Sequence, residues 1–482
     1  MTLSRRPNIL LIMSDNQSAG TLGCYGNQEI RTPHLDRLAT GGVRFNQAFC
    51  VNAMCSPCRA SVLTGLMPSQ HGIHNWLMNQ RMAQWPTGSS AISEFPNLPT
   101  LLQEAGYNTA LIGKWHLGPV GDNVPGFNHS VAMPHGHTVD FYDNQVMHGS
   151  EMRRVREHSV DHFTRETTAF LQAQANADQP FFAFVPLNGP YGHWPAIQGR
   201  AANPFASWYD DCPMDSVPRE GLDSRVLDRF ALRVQSSGGQ VLDQYRGPML
   251  LPNDVDSLKN YYSQISLIDD AVGQMQAALT ASGIGDNTLI IYTADHGFSL
   301  GHNGVWGHGQ ASWPSSLHRA STHIPLIVGG DVAGLSHGCV ADGLISQIDL
   351  FPTLLSLAGV PHPGGRISDA RDFSAVLTDP SKVVRDHVLI EQEETRALRS
   401  SDWLLEACYQ GHADYDLPNR LFDLRADPEE RFNVVHDHAE LFANRHQALA
   451  QAFDALLGQD RRFDLWAGGR SKSHLGHEPL WA

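Results

Sequence analysis

The sequence predicts an α/β protein: a large, mostly parallel mixed sheet sandwiched by helices, then a smaller C-terminal α+β domain with an antiparallel sheet. Three observations carry this. Short unbroken apolar runs recur, as strands buried on both faces require. Stretches with helical spacing alternate with them, the mark of a layered α/β domain. The alternation then ends near Pro361-His362-Pro363-Gly364-Gly365, beyond which short strand-like segments follow one another. At 482 residues the chain also exceeds the size at which one core keeps growing, so domains are placed at 1–365 and 366–482.

The elements follow in order. Asn8-Ile9-Leu10-Leu11-Ile12-Met13 is a buried strand ending in Ser14-Asp15-Asn16, at the carboxyl end where open α/β sheets place their sites. Helices are expected over 32–40, 98–104, 160–174, 257–282 and 349–357. Apolar runs at 181–185, 288–292 and 324–328 read as further parallel strands. Residues 196–250 break the rhythm with Pro, Gly, Trp and acids and are read as an insertion over the site. Past residue 365, segments 388–391, 396–399, 403–406 and 421–424 form the antiparallel sheet, and a helix covers 439–457. The polar tail, Arg470 to Ala482, is expected to be unordered or to dock on a neighbouring subunit, so homo-oligomers stay open.

Composition excludes some roles. A formal charge of −16 argues against nucleic acid and against acidic membrane surfaces as partners. It also supplies no long-range attraction for an anion, so an anionic substrate needs a local basic pocket. No run of 18 apolar residues exists, and the first residues lack the apolar segment of a leader. Seven cysteines, an odd number without a framework, favour reduced thiols and a cytoplasmic setting.

The most informative stretch is Cys55-Ser56-Pro57-Cys58-Arg59, followed by Ala60-Ser61-Val62-Leu63-Thr64-Gly65. Pro57 suits the first helical position, which puts Cys55 at a helix N-terminus where free amides favour negative charge. Arg59 can turn its guanidinium toward the same spot. That geometry serves a nucleophile attacking an anionic ester. Locally, three other readings stay open: a redox pair, a zinc site from Cys55, Cys58, His71 and His74, and a buried structural cysteine.

The C-x-P-x-R core with Leu-Thr-Gly resembles the signature of the type I sulfatases, members of the alkaline phosphatase superfamily, and the likeness runs from about Pro7 to Asn433. In that family the cysteine is oxidised by a separate formylglycine-generating enzyme, acting here on residues 55–59, to Cα-formylglycine, whose hydrate is the nucleophile. The resemblance thus implies an alkaline phosphatase-like catalytic domain and hydrolysis of a small sulfate monoester. A phosphonate monoester or phosphodiester hydrolase of the same superfamily is the alternative, and a silent sulfatase-like binding protein is a second.

Residue by residue, the resemblance implies a divalent cation, Ca²⁺ or alternatively Mg²⁺ or Mn²⁺, held by Asp15, Asn16, Asp295, His296 and the converted Cys55. Asn16 departs from the family's commoner acid. Gly106 to His116 resembles the second signature nearly residue for residue, so Lys114 would neutralise a sulfate oxygen and His116 would serve the hydrate as acid or base. His193, in Asn188-Gly189-Pro190-Tyr191-Gly192-His193, would protonate the leaving oxygen, although Tyr191 holds the family's usual histidine position. Trp306-Gly307-His308-Gly309 places His308 where relatives carry lysine. A charged His308 would make activity prefer mildly acidic to neutral pH.

Overall fold

In the computed structural model, residues 5–241, 243–408 and 419–466 are described. The tail from Arg470 to Ala482 lies outside the described residues. A ten-stranded sheet forms the body, in the order Cys339–Ser346, Val43–Phe49, Leu326–Gly329, Thr288–Ala294, Asn8–Asp15, Phe181–Pro190, Asn108–Lys114, His129–Met133, Asn144–His148 and Glu151–Val155. Its centre is parallel: Asn8–Asp15 pairs in parallel with Phe181–Pro190 on one side and Thr288–Ala294 on the other.

The central strand shows why an unbroken apolar run belongs there. Side chains alternate between the two faces of a strand. Ile9, Leu11 and Met13 join one core with Cys58, Val62 and Leu63, while Leu10 and Ile12 join another with Phe163, Ile265 and Ile268. Helices therefore cover both faces. The long helix Val255–Ala281 packs on helix Ser159–Ala173 and on strand Phe181–Pro190. Helices expected over 98–104 and 349–357 occur as Leu98–Glu104 and Leu350–Leu357.

The 324–328 run forms a strand, but an antiparallel one. Leu326–Gly329 lies between Thr288–Ala294 and Val43–Phe49 and opposes both. A strand buried on both faces reads as the same apolar run in either direction, so the pattern carries no sign. Strand Val43–Phe49 escapes the apolar pattern because Arg44, Asn46 and Gln47 interrupt it. The outer strands from His129 to Val155 carry too many polar side chains to stand out for the same reason.

A second sheet of four antiparallel strands, His387–Gln392, Thr395–Ser400, Trp403–Cys408 and Arg420–Asp423, follows, with helix Ala439–Leu457 against it. Between residues 196 and 250 lie short helices, Ala206–Tyr209, Ser224–Ser236 and Asp243–Leu250. No described helix is long and apolar enough to cross a membrane.

Candidate active site

Parallel register builds the floor of the site. Ser14 is opposite Ala294, so the residues that follow, Asp15 and Asp295, leave the sheet side by side. Backbone bonds lock the two exits together: Asp295 N–H donates to Ser14 O at 3.0 Å and Gln17 N–H to His296 O at 2.9 Å. Asp295 Oδ1 accepts from the amides of Asn16 (3.1 Å) and His296 (2.8 Å). Asn16 adopts a left-handed backbone, φ 64°, which asparagine tolerates better than most residues.

Helix Cys55–Thr64 points its N-terminus at this floor, with Met54 as N-cap and Gly65 in the left-handed conformation closing it. Cys55 is itself the first helical residue, and Pro57 is the third rather than the first. Any first-turn amide lacks an intrahelical partner, so proline fits there as well. Cys55 Sγ is buried and stands 3.4 Å from Asp15 Oδ1, 3.4 Å from His296 Nε2 and 3.4 Å from Lys114 Nζ, with Asn16 Oδ1 at 4.0 Å. Burial, and then Asp15, push the thiol well above its ordinary pKa.

One turn on, Arg59 is fully buried and grips Asp295 through Nε (3.2 Å) and Nη2 (2.9 Å). Its Nη1 donates to the carbonyl of Lys114, and Asp15 lies 3.7 Å from Nη2. Burial opposes the guanidinium charge, but Asp295 and Asp15 more than offset it. Lys114 ends strand Asn108–Lys114 and pairs with Asp15, its ammonium 4.9 Å from the centre of the Tyr191 ring. Burial and the neighbouring Asp295 raise Asp15. Asp295 is held below the carboxylate range: burial works against its charge, while His296, Arg59 and Lys114 prevail.

The donor set fits a divalent cation. Ligand atoms of Asp15, Cys55, Asp295 and His296 lie within 4.8 Å of one another, all buried, and Asn16 Oδ1 adds an amide oxygen 4.0 Å from Cys55 Sγ. Carboxylate and amide oxygens suit Ca²⁺ or Mg²⁺, and the imidazole extends the choice to Mn²⁺.

The remaining candidates are arranged differently from expectation. His116 Nε2–H donates to Leu77 O at 2.9 Å, leaving Nδ1 buried without a partner and no hydrogen bond to Cys55. Burial, then Lys114, hold it well below the histidine range. His193 and His308 meet directly, Nε2 to Nε2, at 2.7 Å. His308 Nδ1 lies 2.7 Å from the Ala53 carbonyl, which can only accept, so His308 Nδ1 carries the proton. Burial pushes His193 down to about 3, and burial with His296 and His193 holds His308 well below the usual range. With both rings neutral, His193 Nε2–H donates and His308 Nε2 accepts. The structure thus sets the ring of His308 between His193 and the Ala53 carbonyl.

The zinc reading is also removed. Cys58 Sγ bonds the Asn52 carbonyl, His71 Nε2 lies 3.0 Å from Ser61 Oγ, and His74 Nε2–H donates to Phe463 O at 2.7 Å, so the four do not converge.

Several contributors had no sequence signal. Tyr261 of the long helix donates to Asn16 O at 2.6 Å, and Gln347 Nε2 donates to the carbonyls of Ala294 and Asp295, each at 2.8 Å. His137 lies 3.0 Å from the Tyr191 hydroxyl and packs edge-on against His116. From the second sheet, Gln392 Oε1 accepts from Ala53 N–H at 3.1 Å, bracing the residue whose carbonyl holds His308. Beside His193, Trp194, Pro248, Leu251, Phe298 and Trp306 line a narrow cleft.

Buried paired carboxylates at strand ends, a helix N-terminus aimed between them, and two embedded cations define a hydrolase of anionic esters. The sulfatase family model matches residues 7–360, and the chain belongs to that family, the formylglycine-dependent sulfatases of the alkaline phosphatase superfamily. It is similar to the steryl-sulfatase of Mus musculus, 31% identical over 95% of this chain and 82% of that one. It is also similar to the N-acetylglucosamine-6-O-sulfatase of Bacteroides thetaiotaomicron, 26% identical over 95% and 87% of the two chains. A solved structure in complex with its substrate D-glucosamine-2-N,6-O-disulfate superimposes with a TM-score of 0.72 at 24% identity, covering 95% of this chain and 99% of that one. The phosphonate monoester hydrolase of Agrobacterium radiobacter shares the fold, with a TM-score of 0.68 at 20% identity over 94% and 97% of the chains. The protein is a sulfatase, a hydrolase of sulfate esters.

Proposed function

We propose that the reaction runs through Cα-formylglycine made from Cys55, beside a divalent cation held by Asp15, Asn16, Asp295 and His296, on sulfate monoesters of alcohols that present a ring face. The observation that carries this is the setting of Cys55: buried at the first position of helix Cys55–Thr64, with Sγ 3.4 Å from Asp15 Oδ1, His296 Nε2 and Lys114 Nζ alike. A cysteine so placed serves as the precursor of a nucleophile better than as one. When present, formylglycine supplies a hydrated aldehyde whose hydroxyl attacks sulfur and whose second hydroxyl later expels sulfate, and the cation, Ca²⁺ or alternatively Mg²⁺ or Mn²⁺, supplies positive charge beside it.

The chain's own residues divide the rest. Asp295, held ionised and aimed by Arg59, is the base for the hydroxyl at position 55. Lys114 and Arg59 hold negative charge on the sulfate oxygens in a site closed to water, where fixed charges act strongly. His193 offers its Nε2–H to the departing oxygen, and His308 keeps that proton in place until substrate arrives. His116, with Nδ1 unpartnered, accepts the proton when the hydrate collapses. Trp194, part-exposed beside His193, offers an aromatic face to the ring of the alcohol. That reading accords with relatives named for steryl and amino-sugar sulfates. Maturation needs a formylglycine-generating enzyme acting on residues 55–59.

Peptide mass spectrometry across Met54 to Arg59, on protein from a host containing the maturing enzyme, tests the reading. Loss of the Cys55 sulfur with gain of an aldehyde is expected; an unmodified thiol in active protein overturns the mechanism. Parallel kinetics on sulfate monoesters and phosphate diesters should favour the sulfate.

A further inference from the structure

At the edge of the large sheet, away from the residues of the catalytic cluster, two histidines converge. His148 ends strand Asn144–His148, and His162 lies in the first turn of helix Ser159–Ala173. Their Nε2 atoms are 3.2 Å apart. Two imidazole nitrogens about 2.05 Å from a tetrahedral zinc ion would stand about 3.3 Å from each other. Glu166 follows His162 by four residues, which brings it to the same face of the helix. Ligand atoms of His148, His162 and Glu166 lie within 4.8 Å of one another.

The far side of the His162 ring can also support metal binding. His162 Nδ1 is 2.9 Å from Glu157 Oε1 and 2.8 Å from Arg165 Nη2; in the tautomer in which Nδ1–H donates to the carboxylate, Nε2 faces His148 bare. Glu166 Oε2 stands 4.0 Å from His148 Nδ1 and takes the part of third ligand, so the supporting carboxylate is Glu157 alone. A carboxylate behind an imidazole is the usual way a ligand histidine is fixed in its tautomer and made more basic. Two arginines approach: Arg165 reaches His162 Nδ1 (2.8 Å) and pairs with Glu157, and Arg153 stands 3.5 Å from His148 Nδ1 and pairs with Glu151. Both are more than half exposed, 55% and 52% for their side chains, so their charge is largely solvated outside the cluster.

We propose that His148, His162 and Glu166 form a second, non-catalytic metal site for a zinc-class ion, pinning the outer hairpin of the sheet to helix Ser159–Ala173. Two imidazoles and one carboxylate select Zn²⁺, Ni²⁺ or Cu²⁺ over Ca²⁺ and Mg²⁺, which prefer oxygen shells. The site therefore differs in chemistry from the oxygen-rich catalytic cluster and can be filled independently of it.

The test uses the full chain, stripped of metal and kept in millimolar Ca²⁺ to protect the catalytic cluster, then titrated with Zn²⁺ against a competing chromogenic chelator. Wild type is expected to take up a zinc equivalent that His148→Gln loses, with binding weakened at least about tenfold; Glu157→Gln should weaken it about 10- to 100-fold through the supporting carboxylate. Turnover of a sulfate ester should be unchanged in His148→Gln. Equal zinc uptake by wild type and His148→Gln overturns the proposal, as does no uptake at micromolar zinc. Anomalous diffraction at the zinc edge from wild-type crystals gives a readout free of any folding defect: density between His148 and His162 supports the site, and density only at Asp15 and His296 refutes it.

Discussion

At the scale of single residues, the direct hydrogen bond between His193 and His308 changes what position 308 does. A lysine there would carry a permanent charge toward the sulfate, but it could not accept from His193. His308→Lys is therefore expected to lower kcat by about tenfold or more, because His193 loses the group that aims its proton. Steady-state kinetics decide it, and a rise in kcat would return position 308 to sulfate binding. Gly136 is a second sensitive point. A Cβ there would meet His116 Cδ2 at 1.8 Å and Nε2 at 2.1 Å, so Gly136→Ala must push the ring off Leu77 O. Overpacking of this kind costs about 1–3 kcal/mol, and displacing a catalytic group by 1 Å costs about 10²-fold in rate. Denaturant unfolding and kcat measured together should show both losses. Three site residues, Asn16, His116 and Tyr191, hold left-handed backbone conformations (φ 64°, 56° and 46°). For histidine and tyrosine this costs about 1–3 kcal/mol each, strain of a kind that clusters at functional sites.

At the scale of elements, the site is made by strand ends and one helix N-terminus, held by a hairpin from elsewhere. The end of strand His387–Gln392 and the turn after it reach the segments flanking helix Cys55–Thr64: Gln392 Oε1 accepts from Ala53 N–H, Glu391 accepts from Ser69 N–H at 2.5 Å, and Asn75 donates to Glu393 at 2.9 Å. Gln392→Ala strips a buried amide of its acceptor, which costs about 1–3 kcal/mol. It should also slow turnover, since Ala53 O positions His308, while leaving the metal residues untouched. A calorimetric scan and kcat would show this, and full activity with full stability would mean the hairpin merely covers the site. Element boundaries were legible wherever burial imposed a period: the expected 98–104 and 439–457 helices occur as Leu98–Glu104 and Ala439–Leu457. Strand direction was not, as Leu326–Gly329 shows. An apolar run records burial on two faces and nothing about polarity.

For the whole molecule, we propose a division near residue 365, with 1–365 as the catalytic domain and the remainder as a small α+β domain, yet the two share a core. Val51, Met67 and Ile348 pack in one cluster with Leu389, Leu398, Leu405, Leu421 and Phe453. A fragment ending at 365 would expose that face and lose the Gln392 brace. Expressed alone, it should be insoluble or unfolded by circular dichroism; a soluble, active fragment would show that the second domain is dispensable. At this scale the acidic net charge matters as well. With −16 overall, the chain offers a sulfate ester no long-range attraction; on the proposed mechanism the attraction comes from buried charges at the site, so salt should affect binding only weakly.

The sequence by itself determined the architecture of alternating strands and helices, the carboxylates Asp15 and Asp295 at two strand ends, and Cys55 with Arg59 one turn apart. These follow from periodicity, and from a five-residue motif in which each side chain's position is set by local geometry. Only the tertiary structure decided what the remaining groups do to one another. That His193 donates to a neutral His308, that His116 is tied to Leu77, and that Gln347, Tyr261 and Gln392 brace the site all depend on contacts between segments 39 to 339 residues apart in the chain. Protonation is set by burial and by the nearest few charges, and those neighbours exist only once the chain has folded.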